Sequence, residues 1–287
     1  MITETTPETL ARTLFVSDMD GTLMGSDSRL SEFTANALNL LITRHDMHFT
    51  VATARTPATV VPLMSRVKAR LPFVVMAGAA LWNPETQAFE HVQAIDEPIV
   101  TAVIRAFARE KLSPMVYRRH GNRIHAHHCG ALSAAEQTFV EQRQGTPYKQ
   151  FLLNQPDYTT GADDEAMLIF AMNDYNRLKR VADDVREHIQ AEVMLYHDIF
   201  DPATGLLEIY RAGTTKAAAI KQIVRQINAQ RVVAFGDNRN DIAMLQAADL
   251  AVAVDNAVPE VKAVARQIIG GNTQDAVARF LLNLYSL

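Results

Sequence analysis

The 287-residue chain is 48% hydrophobic and 21% charged, with a formal net charge of -4. That composition gives a globular core and no basic field for nucleic acid or an anionic membrane surface. A single cysteine, Cys129, excludes an internal disulfide framework and fits a reducing compartment. The N-terminal stretch lacks a basic segment followed by an apolar one, and no run reaches about eighteen apolar residues. Neither secretion nor a membrane span is expected, and the expected location is cytoplasmic.

In chain order, short apolar runs at 14–17, 49–52 and 73–76 alternate with helical patterns. Their near-continuous hydrophobicity suits parallel strands buried on both faces. Residues 31–44 have apolar positions at helical spacing with Ser31 as N-cap, and Pro57 suits the first turn of a helix running toward Arg70. After Trp82 the rhythm breaks at the turn Asn83-Pro84-Glu85-Thr86. From there the pattern predicts helices over 97–110 and 174–189, with strands at 115–118, 124–127, 166–172 and 193–196. A second turn, Asp201-Pro202-Ala203-Thr204-Gly205, precedes a strand at 206–210, a helix over 217–227 and strands at 232–235 and 250–254. The expected architecture is α/β: a doubly wound parallel sheet in a discontinuous core domain, 1–82 and 206–287, interrupted by an inserted α+β domain, 83–205.

Four segments carry chemistry: Asp18-Met19-Asp20-Gly21-Thr22, Thr53-Ala54-Arg55, Lys216, and Gly236-Asp237-Asn238-Arg239-Asn240-Asp241. The first closes a buried strand with two carboxylates, which is costly unless a cation neutralises them. Open α/β sheets bind ligands beyond the carboxyl ends of their strands, where Asp18, Thr53 and Asp237 all fall. A carboxylate attacking a phosphate monoester needs compensating positive charge, and Mg2+ prefers oxygen ligands. Asp18 and Asp237 are the natural ligands, with the backbone carbonyl of Asp20. Asp18 then serves as nucleophile and Asp20 as general acid and base. The Thr53 hydroxyl and the Lys216 ammonium suit the phosphoryl oxygens, and Gly21 permits a turn whose N–H groups face the phosphate. Taken singly, each segment is ordinary: an Asp-x-Asp pair, a solvated lysine, a strand-end hydroxyl, a turn with an Asp cap. Their joint occurrence in this order, each at a strand end or helix start, is what carries the reading.

These segments resemble the haloacid dehalogenase superfamily of phosphatases, and within it the Cof-type group, subfamily IIB, with a C2 cap. Asp18-Met19-Asp20-Gly21-Thr22-Leu23 resembles its first motif and Ala52-Thr53-Ala54-Arg55 its second, with Ala54 where glycine is usual. Lys216 resembles the third motif, and the run from Gly236 to Leu245 the fourth, followed by a similar segment over 255–262. The resemblance implies a Rossmann-like core with an inserted C2 cap and Mg2+ as cofactor. It implies hydrolysis of a small phosphorylated metabolite, such as a sugar or cofactor phosphate. It further implies phosphate contacts from Gly21, Thr53, Ala54, Lys216 and Asn240, and metal ligation by Asp18, Asp20 and Asp237. Asp241 is implied as a ligand or as a partner of one. Where the family usually has Asn-Gly-Ala, this chain reads Ala77-Gly78-Ala79, so a polar contact at the rim is expected to be missing.

In the inserted domain, Arg118, Arg119, His120, His125, His127 and His128 are the candidates for substrate recognition. Alternation along a strand puts His125 and His127 on one face, without a second ligand pair to make a zinc site. Met167, Met172 and Met194 are expected to pack that domain's core. The competing functions are a phosphosugar phosphomutase and a catalytically silent metabolite-binding protein on the same fold.

Overall fold

The computed structural model describes residues 6–159, 161, 164–198 and 201–287. The first five residues, part of the segment read as lacking a secretion signal, lie outside this range. The chain divides into two units, Met1–His91 with Thr215–Leu287, and Val92–Thr214. In the described residues no helix is long and apolar enough to cross a membrane.

The first unit begins with α1 (Pro7–Ala11), capped by Thr6 and started by a proline whose missing N–H costs nothing there. Strand β1 (Thr13–Ser17) is buried at every position, as its unbroken apolar run requires. Helix α2 (Glu32–Arg44) starts where the Ser31 hydroxyl accepts the Thr34 N–H at 2.9 Å, and buries Ala35, Leu38, Leu41 and Ile42. Each such leucine contributes about 1.5–3 kcal/mol by leaving water. Strand β2 (His48–Val51) pairs parallel with β1. Helix α3 (Pro57–Met64) is shorter than the pattern predicts: it runs through Pro62 and ends where the Ser65 N–H bonds Pro62 O. Strand β3 (Phe73–Val75) departs more from expectation. It touches the parallel sheet through one bridge, Ala52 to Val74, and pairs antiparallel with β4 (Ala80–Asn83). The predicted turn at 83–86 is a hairpin linking β4 to β5 (Ala88–Glu90), the Asn83 side chain accepting from the Glu85 and Thr86 N–H groups. The first unit therefore continues past Trp82, to His91.

The second unit contains α4 (Glu97–Arg109), β6 (Met115–His120), β7 (Arg123–His128), α5 (Ala134–Arg143), β8 (Lys149–Leu152), β9 (Glu165–Asp174), α6 (Tyr175–His188), β10 (Ala191–His197) and β11 (Thr204–Arg211). Its six-stranded sheet runs β10-β11-β9-β6-β7-β8. Only the β7–β8 pair is parallel. Val103 and Phe107 of α4, with Val181 and Val185 of α6, pack with Val116, Ile169, Leu207 and Ile209 of the sheet. Strand β11 corrects the predicted boundary. The 201–205 turn is the tip of a β10–β11 hairpin, closed by Asp198 N–H to Thr204 O at 2.9 Å, so the strand expected to reopen the core belongs to the inserted unit.

The chain returns with α7 (Lys216–Ile227), β12 (Arg231–Gly236), α8 (Ile242–Ala247), β13 (Leu250–Val254), α9 (Pro259–Val264), β14 (Gln267–Ile269) and α10 (Ala276–Leu284). The first unit's five-stranded sheet is parallel throughout, in the order β14-β13-β12-β1-β2. Sequence order reverses between β12 and β1, which makes their carboxyl ends the topological switch point.

Candidate active site

Asp18 follows β1 and Asp237 follows β12, the two strands that flank the switch point. Lys216 opens α7, whose N-cap Thr215 accepts the Ala218 N–H at 3.1 Å. The helix start is fixed from the other side by Gly78, where an added Cβ would meet the Thr215 carbonyl oxygen at 2.3 Å. The Lys216 ammonium donates to Asp18 Oδ1 at 2.5 Å and to Asp241 Oδ1 at 2.7 Å. Asp241 is wholly buried, and its other oxygen accepts the backbone N–H groups of Asp237 and Asn238, both at 3.1 Å. The carboxylate of Asp241 is thus spent on holding Lys216 and the turn after β12.

Carboxylate oxygens of Asp18, Asp237 and Asp241 lie within 4.8 Å of one another. Three acids lie beside one ammonium, which bonds two of them, so the cluster has an excess of two negative charges when all are ionised. Burial pushes the Asp18 carboxyl well above its usual range, Asp241 adds to that, and Lys216 opposes it. Burial also pushes Asp237 up to about 6, against the Thr22 hydroxyl, which donates to its Oδ1 at 2.7 Å. Lys216 loses hydration as well, yet Asp18 and Asp241 hold its proton more tightly than usual. An all-oxygen donor set with this surplus charge fits a divalent hard cation such as Mg2+. Asp18 and Asp237 would hold it through the oxygens not engaged by Lys216 and Thr22.

Asp20 is not part of that carboxylate cluster. It sits in the turn Met19–Leu23 with its side chain 47% exposed, forked by the Arg55 guanidinium. Two bonds of 2.6 Å make the fork, Nε to Oδ2 and Nη2 to Oδ1. The Asp20 side chain is therefore not offered to a metal at the cluster. Gly21 follows with φ +78, and an added Cβ would lie 2.4 Å from Asp237 Oδ2, so only glycine fits. The turn is tied down by Asn256, whose amide donates to Gly21 O at 2.7 Å, and by Asn272, which donates to Met24 O at 2.8 Å.

Thr53 is buried beyond the end of β2, and its hydroxyl oxygen accepts the Arg55 N–H at 3.1 Å. Ala54 is half-buried in the same turn, and Asn240 is exposed in the short helical turn 239–241. Met76 and Ala77 have φ of 51 and 54, a left-handed pair that alanine adopts less readily than asparagine. Their amides bond Arg55 O at 3.0 Å and Thr53 O at 2.9 Å, so this strained turn braces the second motif. Sequence reasoning assigns no individual role to Arg55, Thr22, Asn256 or Asn272. Arg55 was visible in its motif, while the asparagine contacts depend on tertiary placement.

The six candidates in the inserted unit divide by partner. Arg118 is 1% exposed and donates to both oxygens of Glu97, and Arg119 pairs with Glu165. Both guanidiniums are therefore neutralised within the unit. His120 bonds Asp164 and stacks on His125 with centroids 4.8 Å apart. His127 is buried, and His128 Nε2 lies 3.1 Å from Ser113 O. Among the described residues the only candidate metal group is the aspartate cluster. Met167 and Met172 are buried, whereas Met194 is half-exposed on β10.

A family model described as haloacid dehalogenase-like hydrolase matches residues 15–281. The 5-amino-6-(5-phospho-D-ribitylamino)uracil phosphatase YitU of Bacillus subtilis is 24% identical over 287 aligned positions, covering 96% of this chain and 98% of that protein. Among solved structures, a haloacid dehalogenase-like hydrolase from Bacteroides thetaiotaomicron superposes with a TM-score of 0.75 at 21% identity, covering 95% of this chain and 99% of its own. A subclass IIB sugar phosphatase does so with 0.72 at 19% identity, covering 96% of this chain and all of its own. At these identities the superpositions carry the fold.

Proposed function

The chain belongs to the haloacid dehalogenase-like hydrolase family, and on that premise we propose that it hydrolyses the phosphate monoester of a small metabolite through an aspartyl-phosphate on Asp18, with Mg2+ as cofactor. The observation that carries this reading is the cluster at the β1/β12 switch point, where three carboxylates gather and Lys216 bonds two of them. A structural cluster would balance its charges. With all three acids ionised, this one has a surplus of two negative charges, which one divalent cation would offset.

Asp18 attacks phosphorus, the P–O bond to the alcohol breaks, and Asp20 gives its proton to the leaving oxygen. Water then attacks the phosphorus of the acyl phosphate, Asp20 takes its proton, and Asp18 is regenerated with release of inorganic phosphate. Lys216 and the Thr53 hydroxyl stabilise the phosphoryl oxygens, and Asp241 keeps Lys216 charged and aimed. The bound cation would neutralise charge between Asp18 and the phosphate, held by Asp18, Asp237 and the Asp20 carbonyl. Two similar proteins, a ribitylaminouracil phosphatase and a sugar phosphatase, support a small phosphorylated metabolite as substrate class.

Purified protein with Mg2+ should release inorganic phosphate from aryl phosphates and from members of a sugar- and cofactor-phosphate panel, and chelation should stop it. Asp18→Asn should abolish turnover. Asp20→Asn should lower it by about 100-fold or more, the range of a lost general acid. No phosphate release from any panel member would refute the reading, and so would full activity in either variant. An isomerised phosphosugar without free phosphate would indicate a mutase instead.

A further inference from the structure

We infer that Arg55 is the positioning residue of the acid/base group: its guanidinium fork fixes the Asp20 carboxylate where it can serve both the leaving alcohol and the attacking water. The inference rests on the phosphatase reading above and goes beyond it in assigning a residue.

The argument starts from what else orients Asp20. Its side chain is 47% exposed and makes no hydrogen bond among the described residues except the two 2.6 Å bonds from Arg55. The backbone there is not helical, with Asp20 at φ -76 and ψ 122 and Gly21 at φ 78. A carboxylate in such a turn samples several rotamers unless something holds it. A guanidinium fork matches both oxygens and so fixes the carboxylate plane, which a lysine cannot do.

The root of Arg55 is itself anchored. Its N–H donates to Thr53 Oγ1 and its carbonyl accepts from the Met76 N–H at 3.0 Å. The side chain is 28% exposed. A pair this exposed contributes little to folding. What the fork supplies is geometry, at the one carboxylate that must return to the same place in two successive steps.

The test is leaving-group dependence. A dinitrophenolate departs without a proton, whereas phenolate is a far poorer leaving group and draws on the acid. In single turnover, Arg55→Ala should slow the phenolate burst from phenyl phosphate by about 30-fold or more, and the burst from 2,4-dinitrophenyl phosphate by less than about 3-fold. KM should move by less than about 3-fold for both esters, since uniform binding is not what is lost. Arg55→Lys should lie between wild type and Arg55→Ala on phenyl phosphate. Equal losses on the two esters would overturn the inference, because a phosphate-binding or purely structural arginine gives that result; so would no loss on either. A wild-type enzyme inert toward both would instead remove the phosphatase reading and this inference with it.

Discussion

Two buried lysines, one in each unit, show how the same side chain is put to opposite uses. Lys216 is 3% exposed, and its ammonium lies between Asp18 and Asp241. Lys149 is 6% exposed and has no carboxylate partner among the described residues. Its ammonium instead faces three aromatic rings, Phe151 at 4.7 Å and Tyr117 and Phe139 at 5.3 Å. The two acids hold the Lys216 proton above its usual range, while burial, aided by Arg143, pushes Lys149 down to about 7. Burial is common to both. The partner decides whether the charge is kept for use or merely tolerated.

Replacing each lysine by methionine should therefore move stability in opposite directions. Lys216→Met leaves Asp18 and Asp241 buried together without their cation. Removing one partner of a buried pair typically costs about 3–5 kcal/mol. Chemical denaturation should show a loss of that size without Mg2+, and phosphate release should fall below detection. Mg2+ should restore part of the stability, because a cation held at the cluster would also neutralise Asp18, and none of the activity. A variant as stable as wild type without metal would break the comparison.

The next effect is smaller and of the other sign. Lys149 is charged in both the folded and unfolded chain below about pH 7, so there the folded state bears the full cost of burying the charge. As pH rises from about 7 toward the usual 10.5, the folded state releases its proton first and the cost fades. Lys149→Met should accordingly stabilise the protein by about 1–3 kcal/mol at pH 6–7 and by progressively less toward pH 10. Thermal unfolding across that range measures it. A pH-independent gain would point to packing alone.

Lys216 and Lys149 also mark where sequence reading succeeds and fails. Lys216 was legible because its chemistry is ordered along the chain: a strand ending in Asp18, another ending in Asp237, and a helix start between them. Strand ends and caps are local signals, and the switch point follows from the βαβ rhythm. Lys149 was not legible, because only Phe151 of its box is near it in the chain, while Tyr117 and Phe139 come from β6 and α5. Strand β11 failed for a related reason. Its residues look the same whether they join a parallel core sheet or an antiparallel hairpin, and the choice lies with β9 and β10. Asp20 was assigned from its motif, but its fork with Arg55 needed the fold to bring residues 35 apart together.

The smallest effect tests whether the rings at Lys149 attract the charge or only surround it. Phe139 is the informative ring, though it also packs near Phe151 and Phe170 and lies under the Arg143 guanidinium at 4.1 Å. Phe139→Leu by itself therefore mixes several losses. In a double-mutant cycle with Lys149→Met, the contacts to Phe151, Phe170 and Arg143 cancel and the Lys149 coupling remains. A cation–π contact of this kind, with the ring centroid beyond 5 Å, should couple by about 0.5–1 kcal/mol at pH 6. The coupling should shrink at pH 9, where Lys149 is largely neutral in the folded state. A coupling that persists unchanged at pH 9 would mean that the box holds the lysine stem rather than its charge, and the contrast with Lys216 would then be one of shape.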